Sequence, residues 1–143
     1  MTSSTTPMPA ERIIPDGSPS AAGRARRALI KQMEQLGYMD AVHGLNTRCD
    51  IALLVVSELV GNAYRHAGSP REIRLSWQGH MLTIEVDDRS RTTPFVRPQH
   101  SRGESGGFGI AMISQLAESW GTTPNCHGSG KTVYAQVSLD PAA

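Results

Sequence analysis

Three polar side chains, Glu58, Asn62 and His66, recur at steps of four residues within an otherwise apolar stretch. The apolar run before and between them predicts a mostly buried helix from about Arg48 to His66. Residues four apart lie above one another on a helix, so an acid, an amide and an imidazole share one face. Burying an unpaired polar group costs on the order of a few kcal/mol. This face is therefore either a satisfied buried network or the wall of a cavity holding a cation and a polyanion, and the helix alone leaves both open.

Length and composition indicate one globular domain. The 143 residues carry a formal net charge of +1, which gives no electrostatic argument for nucleic acid or a membrane surface. No apolar run reaches the roughly 18 residues that span a bilayer, and the Ser/Thr/Pro-rich start lacks the apolar core of a secretory signal. We expect a disordered lead-in over residues 1–12 and the domain over residues 13–140. The distant Cys49 and Cys126 fit no metal spacing and are typical of reduced thiols in a cytoplasmic protein.

Hydrophobic periodicity and turn residues predict the elements around the central helix. In chain order we expect a strand ending near Ile14, a helix over Ala21–Leu36, the central helix, a hairpin turning at Gln78–His80, an irregular segment over Arg89–Gly107, a helix over Gly109–Trp120, a connection over Thr122–Gly130, and a strand over Lys131–Leu139. This order predicts an α+β fold, a two-layer sandwich with helices on one face of a mixed, largely antiparallel sheet. The long irregular segment, rich in glycine and proline, is typical of a lid or binding loop.

Two familiar nucleotide motifs fail. The run Gly128-Ser129-Gly130-Lys131-Thr132 looks like the end of a Walker A motif, but that motif needs glycine where the chain has Asn125. A helix should also follow it, and a strand pattern follows instead. The dinucleotide fingerprint fails because Met112 occupies the place of its third glycine.

Four short motifs nevertheless occur in order. They are Glu58-x-x-x-Asn62 on the central helix, Asp88 at a strand end, Gly106-Gly107-Phe108-Gly109 at a helix start, and Gly130-Lys131-Thr132 at the start of the last strand. With these motifs the chain resembles the GHKL, or Bergerat-fold, ATPases, whose N-box, G1, G2 and G3 motifs come in that order. The resemblance is closest to the small bacterial anti-sigma factor serine/threonine kinases, spans about Ser20 to Leu139, and implies the histidine kinase-like ATPase fold.

The resemblance implies a role for each motif residue, and the chemistry of the side chains suits it. The amide oxygen of Asn62 is a suitable Mg²⁺ ligand, and Glu58 would accept the proton of an attacking hydroxyl. Asp88 would accept a hydrogen bond from the adenine amino group, with Asp87 facing solvent on the other side of the strand, and Thr132 would support the adenine side. The other expected ATP-binding residues are His66 (alternatively a satisfied structural histidine), Ser90, Gly106, Gly107, Phe108, Gly109 and Ile110.

One departure from the G1 motif leaves the function open. That motif usually reads Asp-x-Gly-x-Gly, and here Ser90 and Thr92 replace both glycines. The resemblance implies an anti-sigma regulator that sequesters a sigma factor and uses ATP and Mg²⁺ to phosphorylate a serine or threonine of an anti-anti-sigma antagonist. It implies no direct contact with nucleic acid or membrane, and relatives often form homodimers. A non-catalytic, nucleotide-gated binding module of the same fold and a detached histidine kinase-like catalytic domain are the alternatives.

Overall fold

The computed structural model describes residues 8–16, 20–39, 47–68, 70–90, 108–125 and 130–140. Within these ranges the elements are β1 (Glu11–Ile13), α1 (Ala21–Gln35), α2 (Thr47–Ala67), β2 (Glu72–Gln78), β3 (Met81–Asp88), α3 (Phe108–Leu116), β4 (Ser119–Pro124) and β5 (Lys131–Ser138). The strands form one sheet in the order β1-β2-β3-β5-β4, and every neighbouring pair is antiparallel. The predicted α+β class is confirmed.

The two faces of the sheet differ in composition, and this difference places the helices. The register sets Ile73 opposite Val86 and Ile84 opposite Ala135, and all four side chains are at most 1% exposed. They form an apolar surface against which α2 packs, and polar residues alternate with them on the other face. The helical residues that complete the core include Ala25, Leu29, Met33, Val56, Leu59 and Val60. The helices therefore cover one face, called the inner face below, and leave the outer face polar.

The prediction is wrong in the segment after α3. The predicted helix over Gly109–Trp120 ends at Leu116, and Ser119–Pro124 forms the edge strand β4. Trp120 lies in that strand, opposite Ala135, and Thr122–Pro124 belong to it as well. The apolar spacing in this segment fits a helix, but the backbone hydrogen bonds that β5 offers along its edge favour a strand. Pairing with a distant strand overrides local periodicity here.

The predicted lead-in and lid can be compared with the structure only in part. Strand β1 begins at Glu11, two residues before the predicted domain boundary at residue 13. Residues 1–7 of the predicted lead-in and residues 91–107 of the predicted lid lie outside the described ranges. Of the helices in those ranges, none combines the length and apolarity that crossing a bilayer requires.

Candidate functional site

The acid and amide of the first motif lie one turn apart on α2, the helix that packs against β3, β5 and α3. Asn62 is 7% exposed, and no other residue in the described ranges hydrogen-bonds its side-chain amide. The Glu58 side chain is 27% exposed, and its Oε2 lies 3.8 Å from Nη2 of Arg65. A partly exposed ion pair at that distance contributes little. Glu58 and Asn62 therefore do not form a mutually satisfied pair, and both keep hydrogen-bonding capacity.

Two neighbours of this pair lie toward the end of α2. The guanidinium of Arg65 reaches back over Gly61, where an added Cβ would lie 3.3 Å from Nη1. His66, one turn beyond Asn62, is exposed. Only the middle of the predicted polar face is therefore buried.

The end of β3 forms a tight corner with the start of β5 on the inner face. Asp88 is 2% exposed and lies opposite Lys131 in the register. The Lys131 ammonium donates to Asp88 Oδ1 at 3.0 Å and to the Ser90 carbonyl at 3.2 Å. The Ser90 N–H donates to the same Oδ1 at 2.9 Å. Asp88 Oδ2 accepts no hydrogen bond from any described residue, so one carboxylate oxygen stays available as an acceptor.

Gly130 is the residue that lets the two strands approach so closely. Its φ is +86°, and a Cβ there would lie 2.0 Å from the Asp88 carbonyl oxygen. Only glycine adopts this conformation without strain and without that clash. The buried Asn125 adds a contact, since its Nδ2 lies 3.4 Å from the same carbonyl oxygen. Gly130 therefore belongs to the corner.

The prediction that Asp87 faces solvent is wrong. Its side chain lies on the outer face, as alternation requires, but it is 1% exposed. Both Arg74 Nη atoms donate to its two oxygens at 2.8 Å, and the Thr132 hydroxyl donates to Oδ1 at 2.6 Å. Thr132 thus contacts Asp87 and not Asp88. The physical reason for the burial is Arg74, which supplies two charge-assisted hydrogen bonds.

Arg74 is the centre of a wider ionic network on the outer face. It also pairs with Glu72 and, at 3.3 Å, with Glu85, and Glu72 in turn pairs with Arg12. These contacts, led by the hydrogen bond to Asp87, raise the pKa of Arg74 further above its usual value, against the opposing effect of burial. The guanidinium is therefore a permanent cation that fixes three carboxylates at the outer side of β2 and β3.

The third motif lies at the start of α3. Phe108 and Gly109 are its first two residues, and Ile110 is 5% exposed within the core. Gly106 and Gly107 lie outside the described residues. The first backbone N–H groups of a helix have no partner within it and carry the positive end of its dipole, so they suit an anion. Since α3 packs against α2, this helix start and the Glu58–Asn62 pair belong to neighbouring elements.

One side chain of the site could contribute an oxygen to a magnesium–nucleotide complex. Among the described residues, no three His, Cys, Asp or Glu side chains are grouped so as to hold a metal ion. Mg²⁺ takes one or two protein oxygens and completes its shell with waters and substrate phosphates. The buried Asn62 amide can supply one such oxygen.

Sequence reasoning did not identify Lys131 as a partner of Asp88. The signal is its position: residues 131, 133, 135 and 137 of β5 face inward, and the other three are apolar. A lysine in that series, opposite the aspartate that ends the neighbouring strand, indicates a buried ion pair.

Comparison with known families identifies the class of protein. Residues 50–141 match the family of histidine kinase-, DNA gyrase B- and HSP90-like ATPases. The match covers well over half of the chain, which therefore belongs to this family, the GHKL ATPases. An ATPase domain of this family implies ATP binding.

One curated relative and two solved structures are similar to the chain. The signal transduction histidine-protein kinase AfsQ2 of Streptomyces coelicolor is 26% identical over 121 residues, which cover 73% of this chain and 23% of that protein. The chain thus spans less than a quarter of this curated relative. The crystal structure of the RsbU and RsbW domains of Rv1364c from Mycobacterium tuberculosis is similar with a TM-score of 0.64 at 19% identity, covering 92% of this chain and 33% of that one. A histidine kinase domain from Erythrobacter litoralis EL346 gives a TM-score of 0.48 at 23% identity, covering 94% and 66%.

Proposed function

We propose that the chain is an anti-sigma regulator, a Mg-ATP-dependent serine/threonine kinase that phosphorylates an anti-anti-sigma antagonist and sequesters a sigma factor. The observation that carries the proposal is the accessible carboxylate of Glu58 one turn from the buried amide of Asn62, within a GHKL domain. The four motifs in order support the GHKL site, and the anti-sigma branch is supported by the similarity in fold to a structure that contains an RsbW domain.

Each site residue has a proposed task. Asn62 binds Mg²⁺ through its amide oxygen. Asp88 accepts a hydrogen bond from the adenine amino group at Oδ2. Bound Mg-ATP supplies the phosphoryl group and the positive charge that offsets the phosphates. Glu58 orients the serine or threonine hydroxyl and accepts its proton. The remaining proposed nucleotide contacts are His66, Ser90, Gly106, Gly107, Phe108, Gly109 and Ile110, and Thr132 supports the site through Asp87.

The test is transfer of label from ATP to purified anti-anti-sigma proteins. We expect label on a serine or threonine with the unmodified protein and none with Glu58→Ala, which should still bind Mg-ATP. Glu34→Ala, at an exposed glutamate of α1, is the matched control and should keep both activities. Asn62→Ala should lose Mg-dependent binding. Transfer by Glu58→Ala at the rate of the unmodified protein would refute the role of Glu58.

A histidine kinase-like catalytic domain is the second candidate, because the chain is 26% identical to AfsQ2 over 121 residues. The stability of the label distinguishes the two. A phosphoester on serine or threonine survives acid, whereas phosphohistidine is lost in acid and survives alkali. Acid-labile label on a histidine-containing acceptor would therefore favour the second candidate. Binding of ATP without transfer to any acceptor would favour a nucleotide-gated binding module, for which Ser90 in place of a glycine is the argument.

A further inference from the structure

Lys131 is buried at the inner corner, where lysine is rare. Its side chain is 8% exposed, and the following inward residues of β5 are the core residues Val133, Ala135 and Val137. Lysine is almost never buried unless its charge is paired. Here the ammonium has two acceptors, the Asp88 carboxylate and the Ser90 carbonyl, and both lie at the end of β3. The Lys131 charge therefore interacts with the inner corner at the end of β3 and not with the apolar core.

We propose that Lys131 is a positioning residue for purine recognition, which holds the Asp88 carboxylate turned so that Oδ2 meets the amino group of the base. The proposal rests on the proposed function only in assigning Asp88 to the base. Lys131 itself need not touch the nucleotide. Its ammonium occupies Oδ1, and the other carboxylate oxygen is the one left to accept.

The charge of Lys131 matters because the carboxylate has so little access to water. Asp88 is 2% exposed, and a buried carboxylate that loses its cation is strongly destabilised, so it should no longer hold the orientation that complements an amino group. Removing the ammonium should therefore weaken the selection of adenine over a base with a carbonyl at the same place.

The same ammonium also fixes the orientation of the carboxylate. The Ser90 N–H binds Asp88 Oδ1 and the Ser90 carbonyl binds Lys131, so Asp88, Ser90 and Lys131 form a closed ring of hydrogen bonds. At Gly130 the start of β5 lies close against the Asp88 carbonyl, which leaves little room for rearrangement. Without the ammonium the ring opens, and the carboxylate is held by the Ser90 N–H alone among these contacts.

The experiment compares ATP with inosine triphosphate, which carries a carbonyl oxygen where adenine has its amino group. Dissociation constants are measured by calorimetry for the unmodified protein and Lys131→Met. We expect ATP to bind the variant about tenfold more weakly and inosine triphosphate to change little, since a hydrogen bond to a charged group carries that much discrimination. The dissociation constant for inosine triphosphate divided by that for ATP should therefore fall about tenfold.

Arg48→Met is the matched control, because it also removes a paired cation bound to β5. Arg48 Nε donates to the Ser138 carbonyl at 2.7 Å, and its Nη2 lies 2.7 Å from Glu118. Ser138 ends the strand that Lys131 begins, roughly 23 Å away at the rise of an extended strand. This control should lose stability and keep the preference for ATP.

A second variant keeps the test decisive if Lys131→Met does not fold. The double variant Asp88→Asn, Lys131→Met leaves neither charge without its partner, so it should be more stable than the single variant and share its loss of preference. A preference equal to that of the unmodified protein in either variant, or equal weakening of both nucleotides, would overturn the inference and leave the proposed function standing. If the unmodified protein binds neither nucleotide, the proposed function fails, and the inference fails with it.

Discussion

The two carboxylates that end β3 are adjacent in the chain and almost equally buried, at 1% and 2% exposure, yet they are held in different ways. On the outer face, Arg74 and Thr132 engage both oxygens of Asp87. On the inner face, the side-chain hydrogen bonds of Asp88 with described residues fall on Oδ1, and Oδ2 remains an acceptor. Hydrogen-bond partners, and not burial, therefore decide which of the two carboxylates keeps an oxygen available for a ligand.

The two arrangements share the same pair of strands. Asp87 faces Thr132 and Asp88 faces Lys131 in successive positions of the β3–β5 ladder. Side chains at successive positions point to opposite faces, so the outer contacts fasten the strands whose inner side forms the corner. We therefore expect outer-face variants to change stability and inner-face variants to change nucleotide recognition.

The largest effect on stability is expected for Arg74→Met. The substitution leaves Asp87 and Glu72 buried without their shared cation, which should lower the free energy of unfolding by about 3 kcal/mol. Urea denaturation measures this loss. Arg12→Met is the control: it also removes a cation from Glu72, but its side chain is 66% exposed, so about 1 kcal/mol or less is expected. Equal losses would refute the special role of Arg74, and a changed preference for ATP over inosine triphosphate would refute the separation of the two faces.

Gly130→Ala tests the close approach on the inner side. The left-handed conformation costs an L-residue about 1–2 kcal/mol, and the clash with the Asp88 carbonyl adds to it, so we expect a loss above about 2 kcal/mol together with weaker ATP binding. Gly37→Ala separates the two causes. Gly37 has a φ of +83°, but a Cβ there meets nothing within 4 Å, so only the conformational cost applies. If both variants lose the same stability, the close approach at Gly130 contributes nothing.

The elements with local signals were predicted well. The first helix was expected to end at Leu36 before Gly37, and it ends at Gln35 with Leu36 as its cap residue and Gly37 in the left-handed conformation. The spacing of apolar residues and the glycine that ends the helix are both local features, so they can be recognised in one sequence without knowledge of the fold. Strand β4 lacks such a signal, because its partner β5 decides that Ser119–Pro124 is extended.

The candidate site divides in the same way. The spacing of Glu58 and Asn62 on one helix, and the opposite directions of Asp87 and Asp88, follow from the periods of the helix and the strand. The hydrogen-bond partners of the two aspartates do not follow from these periods, because Arg74 in β2 and Lys131 in β5 reach the carboxylates from other strands. Residue type and spacing therefore predict which groups can do chemistry, while contacts between strands decide which of them remain available.

Thr132→Val is expected to have the smallest effect, and it tests the separation of the faces most directly. The substitution removes the 2.6 Å hydrogen bond to Asp87, whose oxygens keep both bonds from Arg74. A loss of about 1 kcal/mol in urea denaturation is expected, and Thr132→Ser, which keeps the hydroxyl, should lose less. The preference for ATP over inosine triphosphate should stay unchanged in both, because Thr132 contacts Asp87 and not Asp88. A shift in that preference as large as that of Lys131→Met would mean that the outer contacts govern base recognition and that the two faces of β3 act as one.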